Sequence, residues 1–553
     1  MIMENISFNK RLEDSFIRNW GLPALSNYQG ITLTYSDIAR RISKLHIAFE
    51  HCGLKKGDKV ALCSRSQANW GVCFLASLTY GAVPVPIQHE FKPVVIQHLV
   101  NHSEAKVLFV DEAVWGGLDI SDMKGVSVVV NISDLNFFYA VSDELMQVRE
   151  HLNELYGKRY PKRFEKEDIK YYEDSPEELA IINYTSGTSG QSKGVMIPYR
   201  ALASNVDFAH FDALPLFGQG SRVVSMLPMA HMYGFMFEFL FEMTMGAHVH
   251  FITRMPTPKL IMQAFAEIRP DIIISVPLII EKIYKNKLKP ILDKNKLLFR
   301  IPIVDQMIEK KICTELTNTF GNEFEEVIVG GAAFNNEVEK FFRKIGFRFT
   351  VGYGMTECAP IICYAHWNNT RLYSCGKVVR NMQLRIDSPD PEKIAGEVQV
   401  KGANVFLGYF KNEEATSQVF TDDGWFRTGD MGVVDSDGYL YLKGRCKCMI
   451  LGPSGQNIYP EELESVLNNL SYVVESLVVD DHGALTALIY PDYQQAEQDG
   501  IGREALESMI KDWLPSVNKE LPSYASIQRI EFMHEDFERT PKRSIKRYLY
   551  QKN

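Results

Sequence analysis

The chain has 553 residues, 46% of them hydrophobic and 23% charged, with a formal net charge of −9. That length exceeds one hydrophobic core and predicts two or more domains. The composition is that of an ordinary globular protein, and the acidic balance excludes a general nucleic-acid binder. Nine scattered cysteines make no disulfide framework and suit a reducing compartment. Cys446 and Cys448 form a C-x-C pair without His or Cys nearby, which does not read as a zinc site. The first residues, Met1 to Ser7, lack the basic start and apolar core of a signal peptide. No run reaches the roughly 18 apolar residues of a spanning helix, so a cytoplasmic protein is expected.

In chain order, the first clear element is a helix opening at Thr34–Asp37, with Ser36 as its cap. Ile38, Ile42, Leu45 and Phe49 recur at helical spacing and Cys52–Gly53 closes the element. Lys59–Cys63 reads as a buried strand and Asn69–Tyr80 as a helix ending at Gly81. Val83–Pro86 must be extended, because each proline restricts the residue before it. This alternation predicts an α/β domain with largely parallel sheets. Residues 133–176 are charged and aromatic, helical around Asp143–Tyr156, and read as a surface connection.

Glu178–Asn183 is an apolar strand that runs into a loop with the hydroxyls of Thr185, Ser186, Thr188 and Ser189, three glycines (Gly187, Gly190, Gly194) and Lys193. Glycines allow positive φ and let backbone N–H groups approach a ligand. Hydroxyls and an ammonium supply the donors that a polyphosphate needs. The apolar strand Val195–Pro198 follows, so the loop is held at both ends rather than acting as a Ser/Gly linker. It is not a Walker A loop, since Lys193 follows Ser192 and precedes Gly194.

A helix begins at Tyr199–Asn205, and the strand Arg222–Leu227 leads to His231 in apolar surroundings. His248 and His250 alternate on a strand and read as structural. Glu326–Ala333 is a strand ending in small residues, where backbone can lie against a flat base. In Val351–Glu357, Tyr353 offers a stacking face, Thr356 a phosphate donor and Glu357 a hard oxygen for Mg²⁺. Asp430, after Gly429, is a natural acceptor for two vicinal hydroxyls. The C-terminal part holds strand candidates Glu475–Val479 and Leu485–Ile489 and a helix from Arg503 to about Leu514.

The loop at 184–195, Tyr353–Glu357, Gly424–Asp430 and Gly438–Arg445 with the following Gly452–Glu464 stand in the order of the adenylate-forming superfamily. The chain resembles that superfamily over nearly its whole length, and Ser275–Tyr284 resembles a segment of long-chain acyl-CoA synthetases. The resemblance implies a large N-terminal domain of stacked mixed and parallel sheets with helices, residues 1–445. A small mobile α+β domain, residues 446–553, would turn about Lys447.

It also implies ATP binding by Thr185, Ser186, Gly187, Thr188, Ser189, Gly190, Lys193, Gly331, Ala332, Ala333, Tyr353, Gly354, Met355, Thr356, Asp430 and Arg445. Mg²⁺ would sit on Glu357, coenzyme A on Ser454 and Gly455, and His231 in the wall between carboxylate and ATP. The implied activity is Mg²⁺- and ATP-dependent conversion of a fatty acid, of long chain, to acyl-CoA through an acyl-adenylate. Medium-chain or aromatic acids, or a carrier-protein thiol, are alternatives within the same chemistry.

One position departs from the pattern. Aligning Thr540–Pro541 and Ile545–Arg547 puts Ser544 where the family carries the lysine that bridges carboxylate and α-phosphate. Residues two apart on a strand face the same way, so Lys542 and Lys546 are both candidate replacements, and Lys546 is the one favoured. An acyl or nucleotide binder impaired in adenylation is the reading from another class. The basic tail also offers a surface for peripheral contact with anionic lipid.

Overall fold

The structure is a computed structural model that describes residues 7–185, 192–213, 217–294, 302–452, 456–539 and 545–551. Its first sheet runs Val83–Pro86, Lys59–Cys63, Ala105–Val110 and Val128–Asn131, all parallel, with Phe137–Ala140 antiparallel at one side. Val83–Pro86 lies at the sheet's edge, where prolines that cannot donate to a ladder are tolerated.

A second parallel run begins with Pro23–Asn27, His248–Phe251 and Arg222–Ser225. A single parallel bridge between Val223 and Ile272 joins it to Ile273–Ser275, Val327–Val329 and Phe349–Val351. The C-terminal ends of these strands therefore share one rim. That rim is where open parallel sheets place ligands.

The helix Tyr35–His51 is capped by Thr34, not Ser36. The Thr34 hydroxyl accepts from Asp37 N and the Asp37 carboxylate accepts from Thr34 N, a reciprocal pair that Ser36 inside the first turn cannot make. Gly81 closes Ala68–Tyr80 with φ of 84°, and a Cβ there would meet the Tyr172 ring at 2.8 Å. The helix Arg503–Glu520 continues through Pro515, beyond the expected end near Leu514. Val517, buried one turn further on, supplies the packing that offsets the missing hydrogen bond.

Antiparallel units also build the N-terminal part, among them the sheet Tyr353–Gly354, Ile361–Tyr364 and Lys377–Val378. The hairpin Leu179–Thr185/Lys193–Pro198 pairs with Gly408–Tyr409. The sheet Met382–Asp387, Gly396–Gly402, Phe426–Val434 and Leu440–Arg445 follows. Beyond Arg445 the chain builds a separate core in which Leu463, Leu467, Ile489, Leu506 and Ile510 pack together. The C-terminal end of helix Pro460–Leu467 docks on the N-terminal part. Asn468 O accepts from Lys285 Nζ (3.2 Å) and Asn469 O from Lys289 Nζ (3.3 Å).

Candidate active site

A cavity of about 1680 Å³ opens along the shared rim of the parallel strands. The residues after five of these strands form its wall: Met226, Ile252, Val276, Gly330 and Gly352. One end is polar and the other apolar.

At the polar end, antiparallel pairing sets Asp430 opposite Arg445. Asp430 Oδ1 takes an ion pair from Arg445 Nε at 2.8 Å, and Oδ2 accepts from Tyr353 Oη at 2.6 Å. Burial pushes the Asp430 carboxyl above its ordinary range, against the Arg445 charge and the Tyr353 hydroxyl, which both pull it down. The Tyr353 phenol is pushed well up by burial and by the Asp430 charge, so it stays a donor. Glu357 is buried in a short 3₁₀ turn at Thr356–Cys358. Its Oε1 accepts from Tyr409 Oη at 2.9 Å, and Lys193 Nζ lies 4.6 Å from the centre of the Tyr409 ring.

Three cations on the C-terminal side line the same end. Lys447 sits in the short helix Cys446–Cys448. Lys546 pairs with Glu538 at 3.1 Å, and Arg547 pairs with Glu464 and, at 3.8 Å, with Glu461. The local excess of positive charge contrasts with the acidic chain as a whole and suits a polyanion.

The apolar end is built on residues 232–245, a helix with a π turn at Met236–Leu240. Tyr233, Phe237 and Phe241 turn one face to the cavity, opposite Phe208, Ala209 and Ile279. Glu238, fully buried behind that face, accepts from Ser225 Oγ, Met226 N and Leu227 N at 3.0–3.1 Å and so fixes the turn that forms the adjoining wall. Glu242, one helical turn on, is fully buried, neither of its carboxylate oxygens has a hydrogen-bond partner among the described residues, and burial pushes it up to about 8. His231 caps the helix where the two ends meet, 3.0 Å from Gln88 Nε2.

The cavity brings together Thr185, Lys193, His231, Gly331, Tyr353, Gly354, Met355, Thr356, Glu357, Arg445, Lys447 and Lys546. Asp430 stands behind Tyr353 and Arg445. Ala332 and Ala333 are exposed and outside the wall, because the chain turns away at Gly331, with φ of 86°. Ser186, Gly187, Thr188, Ser189, Gly190, Ser454, Gly455, Lys542 and Ser544 lie outside the described residues. Among the described residues of the tail, 545–551 do not continue as an alternating strand. Ile545 makes one bridge to Arg539, the chain then turns at Arg547–Leu549, and Ile545, Lys546 and Arg547 all reach the cavity.

Tyr409, Arg547 and Gln88 are missed by sequence reasoning. Tyr409 carries a signal that could have found it, a tyrosine directly after Gly408, whose φ of 139° marks a special backbone position.

Among the described residues no three His, Cys, Asp or Glu side chains cluster as a metal cage. A lone buried carboxylate beside a threonine hydroxyl fits Mg²⁺ nonetheless, since that ion is commonly held by one or two carboxylates plus substrate phosphates.

Residues 13–410 match the family described as AMP-binding enzyme, and residues 449–553 match the AMP-binding enzyme C-terminal domain. A long-chain-fatty-acid–CoA ligase, FadD15 of Mycobacterium bovis, is 26% identical over 478 residues, covering 81% of this chain and 75% of the relative. A long-chain-fatty-acid–[acyl-carrier-protein] ligase, chloroplastic AEE15 of Arabidopsis thaliana, is 24% identical over 568 residues, covering 87% and 75%. The crystal structure of ATP-bound MatB from Rhodopseudomonas palustris superposes with a TM-score of 0.76 at 22% identity, covering 97% of this chain and 98% of that one.

Proposed function

The chain belongs to the AMP-binding enzyme family, and on that footing we propose that it joins a long-chain fatty acid to coenzyme A through an acyl-adenylate. It is an AMP-forming acid–thiol ligase. The observation that carries the fatty acid is the two-ended cavity. At about 1680 Å³ it exceeds the ~300–1,000 Å³ of a site for one small molecule, and its second end is walled by aromatic and aliphatic side chains. The long-chain relatives point the same way.

In the first step the acid's carboxylate attacks the α-phosphate of ATP and pyrophosphate leaves. Anion must approach anion, so the barrier is largely electrostatic. Lys193 and Thr185 serve the phosphates, Thr356 the α-phosphate, and Asp430, held by Tyr353 and Arg445, the ribose. Gly331, Gly354 and Met355 line the base. Mg²⁺, held by Glu357, would neutralise phosphate charge.

Lys546, already in the cavity wall, supplies the ammonium that Ser544 cannot. Loss of one such donor costs about 3–4 kcal/mol. In the second step rotation about Lys447 exchanges the tail for the 452–464 segment, the thiol attacks the activated carbonyl, and AMP leaves. Residues 1–445 and 446–553 are the two bodies of that rotation.

ATP–pyrophosphate exchange against acids from acetate to stearate, with benzoate, tests this reading. Thioester formation would be followed with CoA and with a carrier-protein thiol. Exchange peaking at long acids, and abolished by Lys546→Ala but not Lys542→Ala, is expected. A peak at acetate or benzoate overturns the chain length. Exchange appearing only in Ser544→Lys makes the natural chain an adenylation-impaired binder.

A further inference from the structure

We propose that Tyr409 is a positioning residue that keeps the Lys193 ammonium and the Glu357 carboxylate apart while orienting both. The proposal rests on reading the cavity's polar end as a Mg²⁺–ATP site. Three segments distant in sequence meet there: the strand Lys193–Pro198, the turn Thr356–Cys358 and the strand Gly408–Tyr409. Tyr409 pairs with Val195, two residues from Lys193.

The ring is fixed on several sides. Tyr409 N donates to Thr416 Oγ1 at 2.9 Å, the Phe406 ring packs edge-on at 5.0 Å, and the side chain is buried. Phe406 N in turn donates to Glu357 O at 2.9 Å, so the phenol and the turn bearing Glu357 are tied together twice.

A lysine and a glutamate held against one tyrosine would, if they met, pair and occupy the charges that a phosphate and a cation need. Among the described residues neither is in an ion pair. Lys193 instead faces the negative π face of Tyr409, which attracts a cation without neutralising it. The hydroxyl's one hydrogen goes to Glu357 Oε1. Oε2 makes no hydrogen bond among the described residues and is left for a hard cation. A phenol does both tasks, and neither Phe nor Leu can.

The measurement is calorimetric affinity for a non-hydrolysable ATP analogue across a Mg²⁺ series, with thermal melts of each variant. Tyr409→Phe keeps the ring and removes the hydroxyl. Its Mg²⁺-free affinity should stay within twofold, while half-saturating Mg²⁺ rises roughly 10- to 100-fold, as for loss of other groups that orient a ligand. Tyr409→Leu should also weaken Mg²⁺-free binding severalfold. A merely structural tyrosine would lower the melting temperature and both affinities together. If Tyr409→Leu fails to fold, Tyr409→Phe carries the test alone. Wild-type Mg²⁺ dependence in Tyr409→Phe overturns the proposal. Absence of Mg²⁺-dependent nucleotide binding in the unsubstituted protein overturns the ATP reading with it.

Discussion

Substituting Asp430 by Asn preserves side-chain size and removes a charge that two neighbours share. Asp430 is 6% exposed and accepts from Tyr353 Oη at 2.6 Å and from Arg445 Nε at 2.8 Å. A hydrogen bond to a charged group contributes about 1.5–3 kcal/mol. The Arg445 side chain is half-exposed, so its ion pair adds ~1 kcal/mol or less. Asparagine still accepts from Tyr353, more weakly, and turns an amide N–H₂ toward Arg445, so stability should fall by about 1–3 kcal/mol. Toward ATP the carboxylate that would accept from the vicinal ribose hydroxyls loses its charge, again about 1.5–3 kcal/mol. That corresponds to a KM for ATP raised roughly 10- to 150-fold.

The ribose is unchanged by either step, so this is uniform binding, and kcat should stay within a fewfold. Pyrophosphate exchange with ATP as the varied substrate reads both constants, and a thermal melt reads the stability. A KM within twofold of the unsubstituted value, or a hundredfold fall in kcat at constant KM, would refute the assignment of Asp430 to the nucleotide sugar.

The remaining predictions concern a buried acid and the turning point of the chain. Glu242 is neutral in the fold below about 8 but ionises from about 4.5 once unfolded. The unfolded chain therefore binds fewer protons in that window, and stability drops by roughly 1.4 kcal/mol per pH unit as pH rises through it. Glu242→Gln removes this dependence, so its melting temperature should gain on the unsubstituted protein steadily from pH 5 to 8. Parallel curves would show that Glu242 ionises in the fold. Lys447→Pro fixes φ at the proposed hinge. It should leave pyrophosphate exchange within a fewfold while thioester formation drops at least tenfold, and equal loss of both steps would remove the hinge role.

Much of the site could be read before any geometry. The hydroxyl- and glycine-rich loop, Tyr353–Glu357 and Asp430 stand out because each is a short run of residue types that together suit a nucleotide, and the fold brings Thr185, Lys193, Tyr353 and Glu357 to one cavity. Elements with local signals were equally legible: Lys59–Cys63 is a strand, and Gly81 ends its helix at a positive φ. The Ser36 cap failed because Thr34, Ser36 and Asp37 all carry capping groups, and only the reciprocal Thr34–Asp37 pair shows which residue stands outside the helix. Ala332 and Ala333 stay exposed just past Gly331, because small size permits close approach to a base without directing the chain toward it.

The sequence alone determined which chemistry this chain carries, since an acid-activating site needs particular donors in short, ordered runs. Tertiary structure decided which distant residues share one cavity with it. Met226, Ile252 and Val276 follow strands far apart in sequence, and only the parallel pairing of those strands puts them on one rim. Tyr409 reaches Lys193 and Glu357 across separations of 216 and 52 residues. No local spacing encodes such a contact, because it exists only once the hairpin has accepted a third strand.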